Sequence, residues 1–338
     1  MMSYKVGSLF AGIGGICYGF KQAGCSVLWA TEIDDKACNT YKLNHKNSKL
    51  YCNDIHNDEW KKNLPQIDII TSGFPCQAFS LAGLRKGFED PRGNLFFETA
   101  KFIDNYQPKA FLLENVKNLT THDNGNTFKV IENVITKDLG YSFIPMVLNS
   151  KDYGNTPQNR ERIYIVGFKD EASLVPNFIT AKKLSKNCTE NFKTLEKIPL
   201  NKKIKDILES KKQDDKYYFH ADHPYIKEGK LVEMTSEDSI YQWRRIYLRE
   251  NAKGLCPTLT ANMGTGGHNV PLIKDKFGLR KLTPSECIKF QGFPDSFRFP
   301  KKMSNSACYK QTGNSVVVPV VKRIADEMVR VLNIKFEN

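Results

Sequence analysis

The pattern that most restricts the fold of this chain lies at its N-terminus. Residues 5–10 (KVGSLF) predict a strand, residues 11–15 (AGIGG) predict a tight glycine turn, and apolar residues at helical spacing follow until Gly24. Residues 26–31 predict a second strand, which ends at Glu32. Strand, glycine turn, helix, strand and acid is the βαβ order of nucleotide-binding parallel sheets. We therefore expect an α/β fold built on a Rossmann-like sheet with helices on both faces.

The glycine turn favours a ligand that carries no pyrophosphate. A dinucleotide fingerprint that begins at Gly12 requires a third glycine at position 17, and that residue is Cys17. Phe10 offers an apolar face directly before the turn, and Glu32 stands roughly 20 residues on, where an acid accepts ribose hydroxyls. S-adenosylmethionine has a ribose, an adenine and a sulfonium but no phosphate, so it fits this pattern better than a dinucleotide does.

A cysteine follows the next buried strand. Residues 67–72 (IDIITS) predict that strand, and Gly73, Phe74, Pro75 and Cys76 come directly after it. Open α/β sheets bind ligands at this edge, and the proline fixes the backbone just before the sulfur. A single cysteine is more often a small buried hydrophobe, so its position alone makes it only a candidate nucleophile. Residues 82–94, rich in glycine and charge, predict a loop that closes over a ligand.

Three charged residues are further candidates for the site. Residues 110–113 predict a buried strand that ends at Glu114, a second candidate catalytic group. An exposed loop acid would explain the same residue. Arg160 and Arg162 alternate on an extended segment, so both are predicted to point the same way and could grip a carboxylate or a phosphate. A surface ladder of ion pairs explains them equally well.

The totals restrict the class of protein. The 338 residues carry a formal net charge of +13, which favours a polyanion such as nucleic acid, although a lysine-rich surface would give the same charge. No apolar run reaches the length of a membrane span and no signal peptide is evident, so we expect a cytoplasmic protein without a membrane partner. The nine scattered cysteines, without a Cys-x-x-Cys pair, predict no metal site and no disulfide.

The middle of the chain predicts a second, smaller domain. Apolar periodicity fades after Asp170 and returns near residue 278. We expect residues 1–170 to form a catalytic and cofactor-binding domain that residues 278–338 complete. Residues 171–277 would form an irregular, mostly β domain that recognises the target. Within it, residues 241–247 interleave aromatics with arginines, and residues 263–268 form a glycine-rich loop.

These elements together resemble the bacterial DNA (cytosine-5) methyltransferases of the small type II restriction–modification kind. The resemblance covers residues 4–170 and 278–333. It rests, in the family's order, on FAGIGG (10–15), PCQ (75–77), ENV (114–116), Gln158 with Arg160 and Arg162, QGFP (291–294) and GNS (313–315). One position departs from the family, because Ile33 stands where an aromatic residue often stacks on adenine.

The resemblance implies a cofactor, a partner and roles for individual residues. S-adenosylmethionine would be the methyl donor, leaving S-adenosylhomocysteine, and double-stranded DNA would be bound by a monomer. A cognate restriction endonuclease would be linked in function only. Cys76 would attack carbon 6 of a flipped-out cytosine, Glu114 would act at its N3 and 4-amino edge, Arg162 would bind its 2-oxo group, and Arg160 would hold Glu114 or a phosphate. The implied cofactor contacts are Phe10, Ala11, Gly12, Ile13, Gly14, Gly15, Glu32, Ile33, Asp54, Ile55, Phe74, Pro75, Asn314 and Ser315.

The predicted DNA contacts lie mainly in the middle segment. They are Gln77, Arg92, Gln242, Arg244, Arg245, Thr258, Gly264, Gly266 and Gly267. Arginine is the side chain that most often reads guanine, so Arg244 or Arg245 is predicted to do so, and Gln242 to fill the gap left by the flipped cytosine. The three glycines would bring backbone amides against phosphate. Resemblance of this segment to known recognition domains suggests a short GC-rich palindrome, GCNGC.

Three other functions remain open at this point. An RNA cytosine methyltransferase on the same scaffold would share every catalytic residue, although a recognition segment of this size favours duplex DNA. A nicotinamide dehydrogenase would bind its cofactor at the glycine turn, but Cys17 and the Pro-Cys-Gln segment argue against it. A catalytically silent DNA-binding protein would need neither the cysteine nor the carboxylate.

Overall fold

The computed structural model divides the chain into two compact units. The first contains Met1–Leu148, Glu161–Glu196 and Val320–Asn338, and the second contains Asn149–Arg160 and Lys197–Pro319. The structure describes residues 3–75, 95–169, 188–227, 229, 231, 234–244, 247–251, 254–265 and 269–334. Among these residues, no helix combines the length and the apolar character needed to cross a membrane.

The first unit is built on a seven-stranded mixed sheet. Its strands are β1 (Lys5–Leu9), β2 (Ser26–Glu32), β3 (Lys49–Cys52), β4 (Ile69–Ser72), β5 (Ala110–Val116), β6 (Ile144–Asn149) and β7 (Glu161–Phe168), in the order β3-β2-β1-β4-β5-β7-β6. Strands β1 to β5 pair in parallel, whereas β7 runs antiparallel to β5. The strand order reverses between β1 and β4, and ligands of open α/β sheets bind at such a point. The predicted α/β fold is confirmed.

Helices lie between strands of this sheet along the chain. They are α1 (Gly15–Gln22), α2 (Asp35–Asn44), α3 (Leu95–Tyr106) and α4 (Asn126–Asn133), which continues as a π-helical turn, Val134–Asp138. Asp34 begins α2 as its N-cap, because its carboxylate accepts the N–H groups of Lys36 and Ala37. Trp29 on β2 is fully buried, and a Cβ on Gly7 would lie 2.3 Å from its ring. The glycine in β1 therefore lets the indole fill the core.

The second unit contains a smaller antiparallel sheet with helices around it. Its strands are β8 (Tyr241–Arg244), β9 (Tyr247–Glu250), β10 (Leu272–Asp275) and β11 (Gly278–Lys281), in the order β11-β10-β8-β9. Its helices are α5 (Ser150–Tyr153), α6 (Pro224–Lys227), α7 (Pro284–Phe290) and α8 (Asn305–Asn314). The first two residues of the last helix, α9 (Val318–Leu332), belong to the second unit and its other residues to the first. Arg280 is fully buried and pairs with Asp275 at 2.6 Å and Glu286 at 2.7 Å. Two carboxylates thus compensate this buried cation.

The two units do not share the boundaries of the predicted domains. Residues 278–319 group with the recognition segment because Leu282, Phe290 and Tyr309 pack in one core with Leu259 and Met263. Only Val320–Asn338 returns to the first unit. The functional division at residues 170 and 278 stays a prediction.

One pair of cysteines corrects the prediction that the chain contains no disulfide. Cys38 and Cys52 form a disulfide, with Cα atoms 6.1 Å apart. Helix α2 and strand β3 bring them together although 14 positions separate them in sequence. That spacing matches no known cysteine pattern, so the sequence offered no signal for the bond.

Candidate active site

The glycine turn and Glu32 form one hydrogen-bonded group in the first unit. The Gly12 N–H donates to Glu32 Oε2 at 2.8 Å, and the Ile33 and Asp34 N–H groups donate to Oε1, each at 2.9 Å. A carboxylate has about four acceptor positions, so Glu32 retains capacity for a further donor such as a ribose hydroxyl. Gly12 has a φ of +55°, and no described heavy atom lies within 4 Å of where its Cβ would stand. Glu32 therefore fixes the backbone of the turn, and the space beside the Gly12 Cα is open among the described residues.

His45 supports this turn from behind, and sequence reasoning missed it because it belongs to no motif. Its Nε2 lies 3.2 Å from the Ile13 carbonyl oxygen, and its Nδ1 lies 3.1 Å from Lys21 Nζ. The ammonium can only donate, so Nδ1 accepts and the Nε2–H donates to Ile13. A Cβ on Gly14 would stand 2.1 Å from the imidazole, so this turn requires glycine there. Burial, together with the nearby Lys21 charge, lowers the pKa of His45 to about 3.

This buried imidazole should make the stability of the protein depend on pH. The unfolded chain protonates His45 near its ordinary pKa of about 6.5, whereas the folded chain resists protonation down to about 3. The stabilisation is complete above pH 6.5 and is lost as the pH falls, by about 2 kcal/mol at pH 5. Denaturant unfolding between pH 7.5 and 5 should show that loss in the wild type and not in His45→Gln. His220→Gln, which removes an exposed imidazole, should keep the wild-type slope; equal slopes in all three proteins would contradict the assignment.

The residues predicted to contact adenine differ in their exposure to solvent. Ile33 is 63% exposed, whereas the Ile55 side chain is 5% exposed and belongs to the core of the first unit. Asp54 is exposed, and its carboxylate lies 2.7 Å from His56 Nδ1. Hydrogen bonds from the His56 backbone and ring lower the pKa of Asp54, which keeps it an acceptor for an amino group.

The carboxyl ends of β1, β4 and β5 converge around Gly73. A Cβ on Gly73 would lie 3.6 Å from Glu114 Oε2 and 3.8 Å from the Phe10 carbonyl oxygen. Asn115 Nδ2 donates to the Phe74 carbonyl at 2.8 Å and so fixes the chain where it leaves β4. The Phe74 side chain is buried and packs on Phe96, so only its backbone and the exposed Pro75 could face a ligand.

Glu114 pairs with Arg162, which changes the roles predicted for the two arginines. Arg162 Nε lies 3.2 Å from Glu114 Oε1, and both side chains are largely buried. Arg162 reaches Glu114 because β7 runs antiparallel to β5 and begins at the end where β5 terminates. Glu114 thus lies within a strand and is not the exposed loop acid of the alternative interpretation.

Arg160 has partners other than the predicted carboxylate or phosphate. Its guanidinium is buried in the second unit and donates to the carbonyls of Leu259 at 2.6 Å, Gly313 at 3.1 Å and Ser315 at 2.5 Å. The expected alternation with Arg162 fails because β7 begins at Glu161, so Arg160 precedes the strand. These hydrogen bonds hold three backbone segments together.

The segment with Asn314 and Ser315 lies at the end of α8. A Cβ on Gly313 would stand 2.1 Å from the Thr260 backbone, so the glycine allows close packing there. The chain then enters helix α9 at Val318. Asn314 is exposed, and the Ser315 hydroxyl is buried without a hydrogen-bond partner among the described residues. That hydroxyl fits a polar ligand atom.

The described DNA candidates lie in the second unit. Gln242 and Arg244 are on β8, and the Thr258 hydroxyl donates to the Asn159 carbonyl at 2.6 Å. Gly264 approaches α8 so closely that a Cβ would lie 2.5 Å from the Ser306 carbonyl oxygen, so packing alone explains this glycine. Several predicted residues lie outside the described residues: Cys76, Gln77, Arg92, Arg245, Gly266, Gly267 and the loop 82–94.

Comparison with known proteins decides the family. A family model described as C-5 cytosine-specific DNA methylase matches residues 4–330. This chain belongs to the C-5 cytosine-specific DNA methylases. The predicted resemblance is confirmed, and the methylase modifies carbon 5 of cytosine in DNA, a reaction that requires a methyl donor.

Individual relatives match this methylase over nearly its whole length. Type II methyltransferase M.Bsp6I of Bacillus sp. (strain RFL6) is 50% identical over 327 residues, covering 96% of this chain and 98% of that protein. Type II methyltransferase M.HaeII of Haemophilus aegyptius is 39% identical over 333 residues, covering 98% and 95%. The crystal structure of S. pombe Dnmt2 methyltransferase superposes with a TM-score of 0.69 over 98% of this chain and all of that one, at 20% identity. At that sequence identity, the comparison shows that the two proteins have the same fold.

Proposed function

We propose that this methylase transfers a methyl group from S-adenosylmethionine to a flipped-out cytosine within a short specific duplex sequence. We further propose that it thereby protects host DNA in a restriction–modification system. One observation carries the chemistry: Glu114, paired with Arg162, lies beside Gly73 at the sheet edge where β1 delivers Phe10 and the glycine turn. Methyl donor, nucleophile and charge control can meet at such an edge.

The polar groups of the glycine turn fit S-adenosylmethionine. Glu32 has acceptor capacity for the ribose, the exposed Asp54 carboxylate suits the adenine amino group, and the exposed Ile33 supplies an apolar face. When bound, this cofactor supplies an electrophilic methyl on a sulfonium. No pyrophosphate site is required, which is consistent with Cys17 at the position of the missing glycine.

The side chains at the sheet edge account for activation of the base. Carbon 5 of cytosine is a poor nucleophile until the Cys76 thiolate adds to carbon 6. The addition pushes electrons toward N3 and the 2-oxo group. A proton carried by Glu114 at N3 neutralises that charge, and the Arg162 guanidinium stabilises it at the oxygen. Arginine has five N–H donors, so Arg162 can hold Glu114 through Nε and still donate to the base.

The end of the cycle restores the thiol site. Carbon 5 takes the methyl group and then loses its proton. The electron pair of that C–H bond expels Cys76 as thiolate, and N3 returns its proton to Glu114. None of these contacts can form with a cytosine stacked in a duplex. The base must therefore be flipped out, as it is by other DNA methyltransferases.

Mapping of the methylated cytosines tests the proposal. A plasmid that expresses this protein should carry 5-methylcytosine at every copy of one short sequence and at no other cytosine. GCNGC is the sequence to examine first, and a plasmid carrying Cys76→Ser is the control. Purified protein should methylate duplex DNA and not tRNA; activity on tRNA alone would move the substrate to RNA, and no methylation would refute the proposal.

A further inference from the structure

The hairpin of β8 and β9 presents one polar face to a cleft in the second unit. Gln242 stands opposite Arg249 in the antiparallel register, and Arg244 stands opposite Tyr247. Side chains alternate along a strand, so Gln242, Arg244 and Arg249 share a face, while Tyr241 and Leu248 on the other face are buried. The cleft, of about 680 Å³, is lined by these three polar residues and mainly by amide and hydroxyl side chains, among them Asn251, Asn262 and Thr258.

The hydrogen bonds across this hairpin fix the orientation of its side chains. Gln242 Oε1 accepts from Arg249 Nη2 at 3.1 Å and from Arg244 Nη2 at 3.2 Å. Arg249 Nη2 also donates to Asn251 Oδ1 at 3.0 Å. Because arginine can only donate, both contacts require the Gln242 oxygen, so its amide nitrogen points away from the arginines.

The exposed guanidinium of Arg249 is oriented without being neutralised. Its described partners are the neutral amide oxygens of Gln242 and Asn251, which engage both hydrogens of Nη2. The hydrogens on Nε and Nη1 remain for a ligand. Each pair of adjacent donors on a guanidinium includes Nη2. A paired contact with the O6 and N7 acceptors of guanine in the major groove therefore uses Nε or Nη1 together with one Nη2 hydrogen, which the base takes over from Gln242 or Asn251. A held fork also loses less conformational freedom on binding than a loose surface arginine does.

We propose that Arg249, which no sequence motif marks, reads a guanine of the target site from this cleft. This inference rests on the proposed function. Gln242 and Asn251 act as positioning residues that hold the fork, and the Gln242 nitrogen is presented as a donor to a neighbouring base. Since Gln242 Oε1 already accepts from two arginines, filling the gap left by the flipped cytosine would require Gln242 to break these bonds.

The test compares single-site variants on the mapped target and on every single-base variant of it. Arg249→Ala should lower kcat/KM on the target roughly 10- to 100-fold and flatten the preference at one base pair. Arg249→Lys keeps the charge but lacks the fork, so the lost preference should not return. Lys276→Ala removes the same charge from the same unit outside the cleft lining and should keep both rate and preference. Gln242→Ala should weaken the same base preference by releasing the fork.

Each outcome decides one point. An equal loss on all sequences that Arg249→Lys restores, with a salt slope reduced by about 1, would make Arg249 a phosphate contact and overturn the inference. Unchanged kinetics in Arg249→Ala would remove it from the interface. Both results presuppose an active wild type, so they leave the proposed function standing. An inactive wild type on every DNA would refute the proposed function itself.

Discussion

Cys76→Ser is expected to abolish methyl transfer to cytosine while leaving the fold and DNA binding intact. Serine is nearly isosteric with cysteine, but its hydroxyl is almost entirely protonated at neutral pH and cannot add to carbon 6 as a thiolate does. The measurement is transfer of labelled methyl groups to DNA that contains the mapped site. Near-normal turnover in this variant would refute the nucleophile.

Two controls make this result specific to Cys76. Cys25→Ser makes the same chemical change at a buried position before β2 and should retain activity, since burial raises the pKa of that thiol to about 11. Duplex DNA with 5-fluorocytosine at the target should trap a covalent complex with the wild type, because fluorine cannot leave as a proton does. Cys76→Ser should form no such complex, whereas Cys25→Ser should form it.

Glu114→Gln should lower kcat by about 10²- to 10⁴-fold, the usual contribution of a positioned proton donor. The amide keeps the shape of the carboxyl group and an oxygen for Arg162, but it cannot deliver a proton to N3. Single-turnover methylation measures the loss directly, and cofactor affinity measured by calorimetry should stay close to that of the wild type.

The matched control is Glu161→Gln, which removes the same charge one position before Arg162. Glu161 is exposed and pairs with Lys117 at 3.0 Å, so its loss should change the rate little. Wild-type rates in both glutamine variants would exclude Glu114 from the chemistry. An equal loss in both would assign the effect to net charge near the start of β7.

The sequence predicted the parts of the site that depend on local order along the chain. Phe10 and Gly73 follow strands and Glu114 lies near the carboxyl end of one, and parallel strands bring these ends to one edge, so their proximity could be inferred without coordinates. The division of labour between Arg160 and Arg162 could not. It depends on β7 beginning at Glu161, and a single residue at a strand boundary decides which side chain faces Glu114.

Contacts between distant segments were beyond the sequence patterns. His45 supports the glycine turn from the end of α2, but one histidine after a helix has no periodic signature. The Cys38–Cys52 disulfide likewise depends on how α2 packs beside β3. Arg249 carries no sequence signature that separates it from the neighbouring arginines. Its proposed role depends on the strand register that places it opposite Gln242.

The crossing points of the chain have a consequence for building chimaeras. The chain passes between its units after Leu148, Arg160, Glu196 and Pro319. A graft limited to residues 171–277 would take Asp275 and leave its buried partner Arg280 behind, and would divide the core that Leu259 shares with Phe290. A transplant that keeps these contacts must carry residues 197–319 together with 149–160, since Gln158 and Arg160 bond to Phe290 and Leu259. Transfer of the proposed DNA specificity therefore requires both segments, and recombination that moves residues 197–319 alone must restore the buried contacts made by Gln158 and Arg160.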